Sequence, residues 1–188
     1  MTFRLNNQTF PTIDLGDYIL REKQDFDIED FYNYFSNPEV NKYIICQPVT
    51  TLEEARKELH FWRNLFYQNL GIYFAIARKD NNQMIGSIGL NNFRPSHNRI
   101  EISYDLTIEY WRQGITTHAI KAVTDFAFQY YKINRIEAFT ATENLASKNL
   151  LEKCNYNLEG TLKEHRFHQT KYIDVFVFSC LARDYLSG

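Results

Sequence analysis

The feature that most constrains this chain is a stretch in which strict alternation passes, across one glycine, into helical spacing. From Asn98 to Ile108, residues Ile100, Ile102, Tyr104, Leu106 and Ile108 fall on one face, and Arg99, Glu101, Ser103, Asp105 and Thr107 on the other. That is the period of a strand with one buried face. The turn Trp111-Arg112-Gln113-Gly114-Ile115-Thr116-Thr117 follows, and then Ala119, Ile120, Val123, Phe126, Ala127 and Tyr130 recur at helical spacing. A glycine lets backbone approach a ligand closely, and a helix start offers unpaired N–H groups at the positive end of a dipole. His118 and Lys121 stand in the first turns with no acid before Asp125, although an isolated helix favours acids there. On these residues alone the turn reads equally as a pyrophosphate seat or as an ordinary strand-to-helix connection.

Around this stretch the pattern alternates strands and helices. Tyr18 to Arg21 reads as a strand, and Asp27 as the cap of a helix whose Ile28, Phe31, Tyr34 and Phe35 share a face, ended by Ser36-Asn37-Pro38. Thr50 and Thr51 precede Glu53 and Glu54 as overlapping capping boxes for a helix with Leu52, Ala55, Leu59, Trp62 and Phe66 inward and Gly71 as its stop. Two strands, Tyr73 to Arg78 and Met84 to Leu90, flank the hairpin loop 79–82. Past the central stretch come a strand from Arg135 to Thr142, a helix from Ala146 to Cys154 and two strands, Leu158 to Arg166 and Tyr172 to Leu181. This order predicts an α/β (α+β) fold: a mixed central sheet of about seven strands with helices on both faces.

With 188 residues the chain fits one domain spanning 1–188, and 44% hydrophobic residues with 7 Gly and 4 Pro suit a globular core. A net charge of −2 argues against bulk attraction to nucleic acid. No apolar run is long enough to span a bilayer. Cys46, Cys154 and Cys180 have no short paired spacing, which fits reduced, buried thiols in a cytoplasmic protein. His165 and His168, three apart in a strand, point to opposite faces, so no metal site is expected. The strand from Tyr172 reads either as internal or as part of a dimer seam, leaving monomer and homodimer both open.

Taken together, these pieces resemble the GNAT superfamily of acyl-CoA N-acyltransferases, and within it the RimJ/RimL-like branch that acetylates the N-terminal amine of ribosomal proteins. The likeness is carried by Phe10-Pro11-Thr12, Tyr18-Ile19-Leu20-Arg21, Asn37-Pro38-Glu39-Val40, Ile85-Gly86-Ser87-Ile88-Gly89-Leu90 and Glu101-Ile102-Ser103-Tyr104-Asp105-Leu106. It continues through the Gly114 turn, Asn144-Leu145-Ala146-Ser147, and Leu151-Glu152-Lys153-Cys154-Asn155-Tyr156 with Glu159-Gly160. The family's pyrophosphate pattern is Gln or Arg, two residues, Gly, one residue, then Gly or Ala; it falls here on Trp111, Gly114 and Thr116, of which only Gly114 matches. Asn155 stands where Gly is usual, at a left-handed helix end that Asn tolerates. The general-acid Tyr of many members is Leu151 here.

The resemblance implies acetyl-CoA as the acyl donor, coenzyme A as product and no metal. It assigns the cofactor core to about 73–157 and the acceptor side to the helices of about 27–71. Cofactor contacts would come from Leu106, Thr107 and Ile108, from Arg112, Gln113, Gly114, Ile115, Thr116 and Thr117, and from Asn144 and Ser147. Glu101 would act as base, directly or through water, with Asp105 as the alternative on the same face; the bland reading of both is the wet side of a sheet. Ser147 would assist the departing thiolate, whereas spacing alone makes Asn144 an N-cap with Ser147 in the first turn. An α-amine has a pKa near ~8 against ~10.4 for Lys, so roughly a tenth is neutral at pH 7 and a base has light work. A protein N-terminus is therefore the expected acceptor. A polyamine, amino sugar or antibiotic amine, for which Glu29, Asp30, Glu39, Glu53 and Glu54 are available, is the alternative, as is a non-catalytic acyl-CoA-binding module.

Overall fold

The computed structural model describes residues 9–44, 48–168 and 170–187, so Cys46 lies outside them. A two-residue strand, β1 (Ile13–Asp14), turns into β2 (Tyr18–Glu22). A 3-10 turn over Asp25–Asp27 then leads into α1 (Ile28–Phe35), which buries Ile28, Phe31, Tyr34 and Phe35 as its spacing predicts. Asp27 does not cap α1 with its side chain: its carboxylate accepts two hydrogen bonds from the Arg21 guanidinium, each 2.7 Å, and the Gln24 N–H at 2.7 Å. A short α2 (Pro38–Asn41) follows, capped by Asn37. In α3 (Leu52–Tyr67) the expected box forms, Thr51 accepting from the Glu54 N–H while the Glu54 carboxylate accepts from Thr50 N. Ala55, Leu59 and Phe66 are buried, but Leu52 is 48% exposed because it opens the first turn, outside the packed stripe. The left-handed residue after α3 is Asn69, with φ of 57°. Gly71 serves instead the close approach to the facing strand, where a Cβ would meet the Leu90 carbonyl at 2.3 Å.

The remaining elements are β3 (Ile72–Arg78), β4 (Met84–Arg94), β5 (Arg99–Leu106), α4 (Ile115–Tyr130), β6 (Arg135–Ala141), α5 (Leu145–Lys153), β7 (Asn157–His168), β8 (Lys171–Leu181) and α6 (Ala182–Tyr185). Eight strands form one sheet in the order β1-β2-β3-β4-β5-β6-β8-β7, one more than the expected seven because of the short β1. The strand from Lys171 is internal, between β6 and β7. Helices cover both faces. Ile100, Ile102 and Leu106 pack with Ile115, Ala119, Ile120 and Val123 of α4, while α1 and α3 build a second cluster around Phe31, Leu59, Ala75 and Met84. Burying an aliphatic side chain contributes about 1.5–3 kcal/mol, so alternation in β5 fixes which face meets α4.

One junction breaks the ladder. Every neighbouring pair is antiparallel except β5 and β6, which run parallel and pair only at Arg99↔Arg135, Ile100↔Ile136 and Glu101↔Glu137. Past Glu101 the two strands part. Because Thr107 donates its N–H to Ile85 of β4, alternation turns the backbone groups of Ile102, Tyr104 and Leu106 toward the gap.

Candidate active site

The gap is bounded by the turn the sequence singles out. Gly114 caps α4 with φ of 84°, in open space, and no acid stands in the helix's first turn. Ile115 and Thr117 are buried and Thr116 is half-buried, and the first intrahelical bond is from His118 N to the Gly114 carbonyl, so the N–H groups before it have no partner within the helix. Such an end attracts an anion through its unpaired donors and its dipole. Gln113 donates to the Glu109 carbonyl at 2.8 Å, and the Trp111 indole to that of Leu106 at 2.7 Å, so both brace the loop. β5 ends at Leu106, and Ile108–Tyr110 form a 3-10 turn. The open strand edge is therefore Ile102 to Leu106, and Thr107 and Ile108 continue past it into the turn. Across the gap, the Thr140 hydroxyl of β6 is buried with no partner among the described residues. An unpaired buried hydroxyl costs about 1–3 kcal/mol, so a ligand donor or acceptor between the strands suits it.

α5 closes the far side. The Asn144 carbonyl oxygen accepts from the Ser147 N–H at 3.1 Å, which is the capping role that spacing predicts. The Ser147 hydroxyl lies 2.9 Å from the Tyr104 hydroxyl, joining α5 to β5 across the gap. Burial raises the Tyr104 pKa, so its phenol stays neutral at working pH. Alternation counts Tyr104 among core residues, and its polar tip among aliphatic neighbours is the only sequence signal of this contact. Asn155 does take the left-handed conformation, with φ of 63°.

On the opposite face stand Glu101, Ser103 and Asp105. A bulge in β4 puts Asn92 at φ 51°, from where its amide donates to the Glu101 carboxylate at 2.9 Å. Glu101 is half-buried at the root of the gap, beside Glu137, whose charge is matched by Arg99 and Arg135. Tyr73 and Asn91 hydrogen-bond the Ser103 hydroxyl. Asp105 accepts from Ser87 N at 3.0 Å, within a buried group that includes Lys23 and Tyr34. The β7–β8 hairpin overhangs this face. His165 stacks on Phe139 of β6 with centroids 5.8 Å apart, the Arg166 guanidinium lies 5.6 Å from the same ring, and His168 is 3.1 Å from the Lys42 carbonyl.

Cys154 and Cys180 are buried free thiols, both held protonated by burial. Among the described residues no three potential ligands gather as a metal site, and no helix is long and apolar enough to cross a membrane. A cavity of about 490 Å³ beside Glu152, Asn155 and Tyr185 lies at the other end of α5 from Ser147. A smaller one of about 140 Å³ is lined by Asp30, Tyr34, Thr107 and Glu109.

These features outline a gap between parting parallel strands, with the glycine-capped start of α4 at one end. Residues 18–157 match the acetyltransferase (GNAT) domain model. The chain is 32% identical over 170 residues, 90% of itself and 96% of the other, to the uncharacterized N-acetyltransferase YoaA of Bacillus subtilis (strain 168). It is 27% identical to the ribosomal-protein-serine acetyltransferase of Escherichia coli (strain K12), over 71% of this chain and 73% of that one. The fold superposes on spermidine N-acetyltransferase from Vibrio cholerae in complex with CoA and spermine at a TM-score of 0.79, with 22% identity, covering 90% of this chain and 98% of that one. The chain belongs to the acetyltransferase (GNAT) family. It is an acetyl-CoA-dependent N-acetyltransferase, which sets aside the non-catalytic binding module.

Proposed function

We propose that the acceptor is the α-amine of a protein N-terminus and that transfer is direct, within a ternary complex. The observation that carries this reading is the charge of the acceptor side. Glu54 is held by Thr50, Glu53 by Arg56 and Lys57, and Asp30 by Met84 N, while the hairpin places the Arg166 guanidinium against Phe139 on the same face. A fixed guanidinium disfavours a polycation and accommodates the carbonyls of a peptide. The relation to a ribosomal-protein acetyltransferase supports the same reading. A small amine is the second reading, favoured by the 140 Å³ cavity with Asp30 and Glu109 in its wall.

In this reading the first-turn N–H groups of α4, from Gly114 to Thr117 with Arg112 and Gln113 beside them, hold the cofactor's pyrophosphate. The open edge of β5 at Leu106, together with Asn144, Ser147 and the Thr140 hydroxyl, holds its arm. Acetyl-CoA supplies the activated acetyl group and leaves as coenzyme A. An N–H of β5 facing the gap polarises the carbonyl. Glu101 takes the acceptor's proton, directly or through a water. Ser147 donates a hydrogen bond to the departing sulfur, with Tyr104 able to replace its proton. Replacing Glu101 by Gln should lower kcat about 100-fold or more and move the pH profile upward while acetyl-CoA affinity holds. Unchanged turnover removes Glu101 from the mechanism.

A further inference from the structure

Lys23 follows β2 and is 1% exposed, yet among the described residues no carboxylate forms an ion pair with it. Its ammonium donates to the Ser87 hydroxyl and lies 5.6 Å from the Phe31 ring and 5.9 Å from the Tyr73 ring. Ser87 is in turn 2.9 Å from the Tyr34 hydroxyl, and its N–H donates to Asp105 at 3.0 Å. Tyr34 and Asp105 are close enough for each to shift the other's pKa. Four elements thus converge on one polar chain. Lys23, Tyr34 and Ser87 are buried to 3% exposure or less, and only Asp105 keeps access to the surface. That outlet is on the polar face of β5, within the stretch that has parted from β6. A buried chain of this kind costs desolvation free energy, and a simple aliphatic core would serve stability as well.

We propose that Asp105 is a second active-site carboxylate, which receives the acceptor amine in its ammonium form, and that Lys23 is the positioning residue that keeps it charged. This rests on the acetyl-transfer reading above. Ser103 lies between the two acids, each two residues, or roughly 6.6 Å of strand, away. An ammonium over Ser103 is therefore within reach of both side chains, or of one bridging water. Asp105 holds it by charge, and Glu101 takes the proton before attack. No covalent change occurs at Asp105.

The electrostatics agree. Burial pushes the Asp105 carboxyl above the usual carboxylate range, and the Lys23 charge, the Tyr34 hydroxyl and the Ser87 N–H draw it back. Burial pushes Lys23 down to about 8, against the pull of Asp105 on β5, Asp27 in the turn before α1 and Glu58 on α3; Arg21 on β2 pushes the same way as burial. Removing the Lys23 charge must then raise the Asp105 pKa and weaken its hold on an ammonium at neutral pH.

The test has two arms. With whichever amine the wild type acetylates, Asp105→Asn should raise the acceptor KM about tenfold or more and leave the acetyl-CoA KM unchanged. By carboxyl carbon NMR, Asp105 should titrate at higher pH in Lys23→Met than in wild type, and an alanyl peptide amide should move its resonance in the wild type. The NMR arm needs no turnover, so it stands even if no acceptor in an activity screen is used. An unchanged acceptor KM in Asp105→Asn, an Asp105 titration indifferent to Lys23, or a resonance blind to the peptide amide would overturn the proposal.

Discussion

At the residue scale, the pair Tyr104 and Ser147 ties the two walls of the gap together at one atom-to-atom contact of 2.9 Å. If both act on the departing sulfur, their effects are not independent. Ser147→Ala and Tyr104→Phe should each reduce kcat, and the double variant should lose much less than the product of the two, because residues acting as a unit couple. Steady-state kinetics on the four proteins checks this; strictly multiplicative losses would separate their roles. Lys23 gives a second residue-level expectation. Its folded pKa of about 8 lies below that of the unfolded chain, ~10.4. Between those values the unfolded state binds the extra proton, so stability rises with pH. The wild type should therefore gain about 2 kcal/mol on Lys23→Met as pH climbs from 8 to 10. Paired urea melts read it, and a difference independent of pH would show Lys23 to be unshifted.

At the element scale, function depends on where pairing stops. β5 and β6 share three residue pairs and then diverge, while α4 starts beside the opening with its first-turn N–H groups at hand and α5 starts there capped by Asn144. Gly114 sets the start of α4. Its φ of 84° costs an L-residue about 1–2 kcal/mol, although a Cβ there meets nothing within 4 Å. Gly114→Ala should thus lower Tm by about 2–8 °C and weaken coenzyme A binding measurably by calorimetry. Loss of binding without loss of stability would mean that the methyl blocks the ligand rather than straining the turn.

Local signals made these elements legible. Alternation identifies β5 and its two faces, the Thr51 and Glu54 box marks α3, and Asn144 announces α5. Local signals cannot report what lies across a gap. Alternation assigns Tyr104 to the core face correctly but is silent on Ser147. The β4 bulge that turns Asn92 toward Glu101 has no glycine or proline to betray it. Gly71 reads as a helix stop because its real neighbour, Leu90, is on another strand.

On the scale of the whole molecule, the site is assembled from distant segments. Lys23 meets Ser87 across 64 residues, and His168 of the hairpin meets Lys42 across 126. Contacts of such range build the acceptor face, which is why composition left the acceptor open even where motifs supplied the family. Of the acidic residues available to a polycation in the sequence, Glu54, Glu53 and Asp30 turn out to be engaged in a cap, surface pairs and a backbone contact, and the Arg166 guanidinium over the face comes from β7. The central claim, acetylation of a protein N-terminus, is tested most directly by thiol release from acetyl-CoA against one panel: peptides with free Ser, Ala or Met N-termini beside polyamines, aminoglycosides and free amino acids. Release confined to the N-terminal peptides is the predicted result. Turnover of a polyamine or aminoglycoside with no release on any peptide would contradict it.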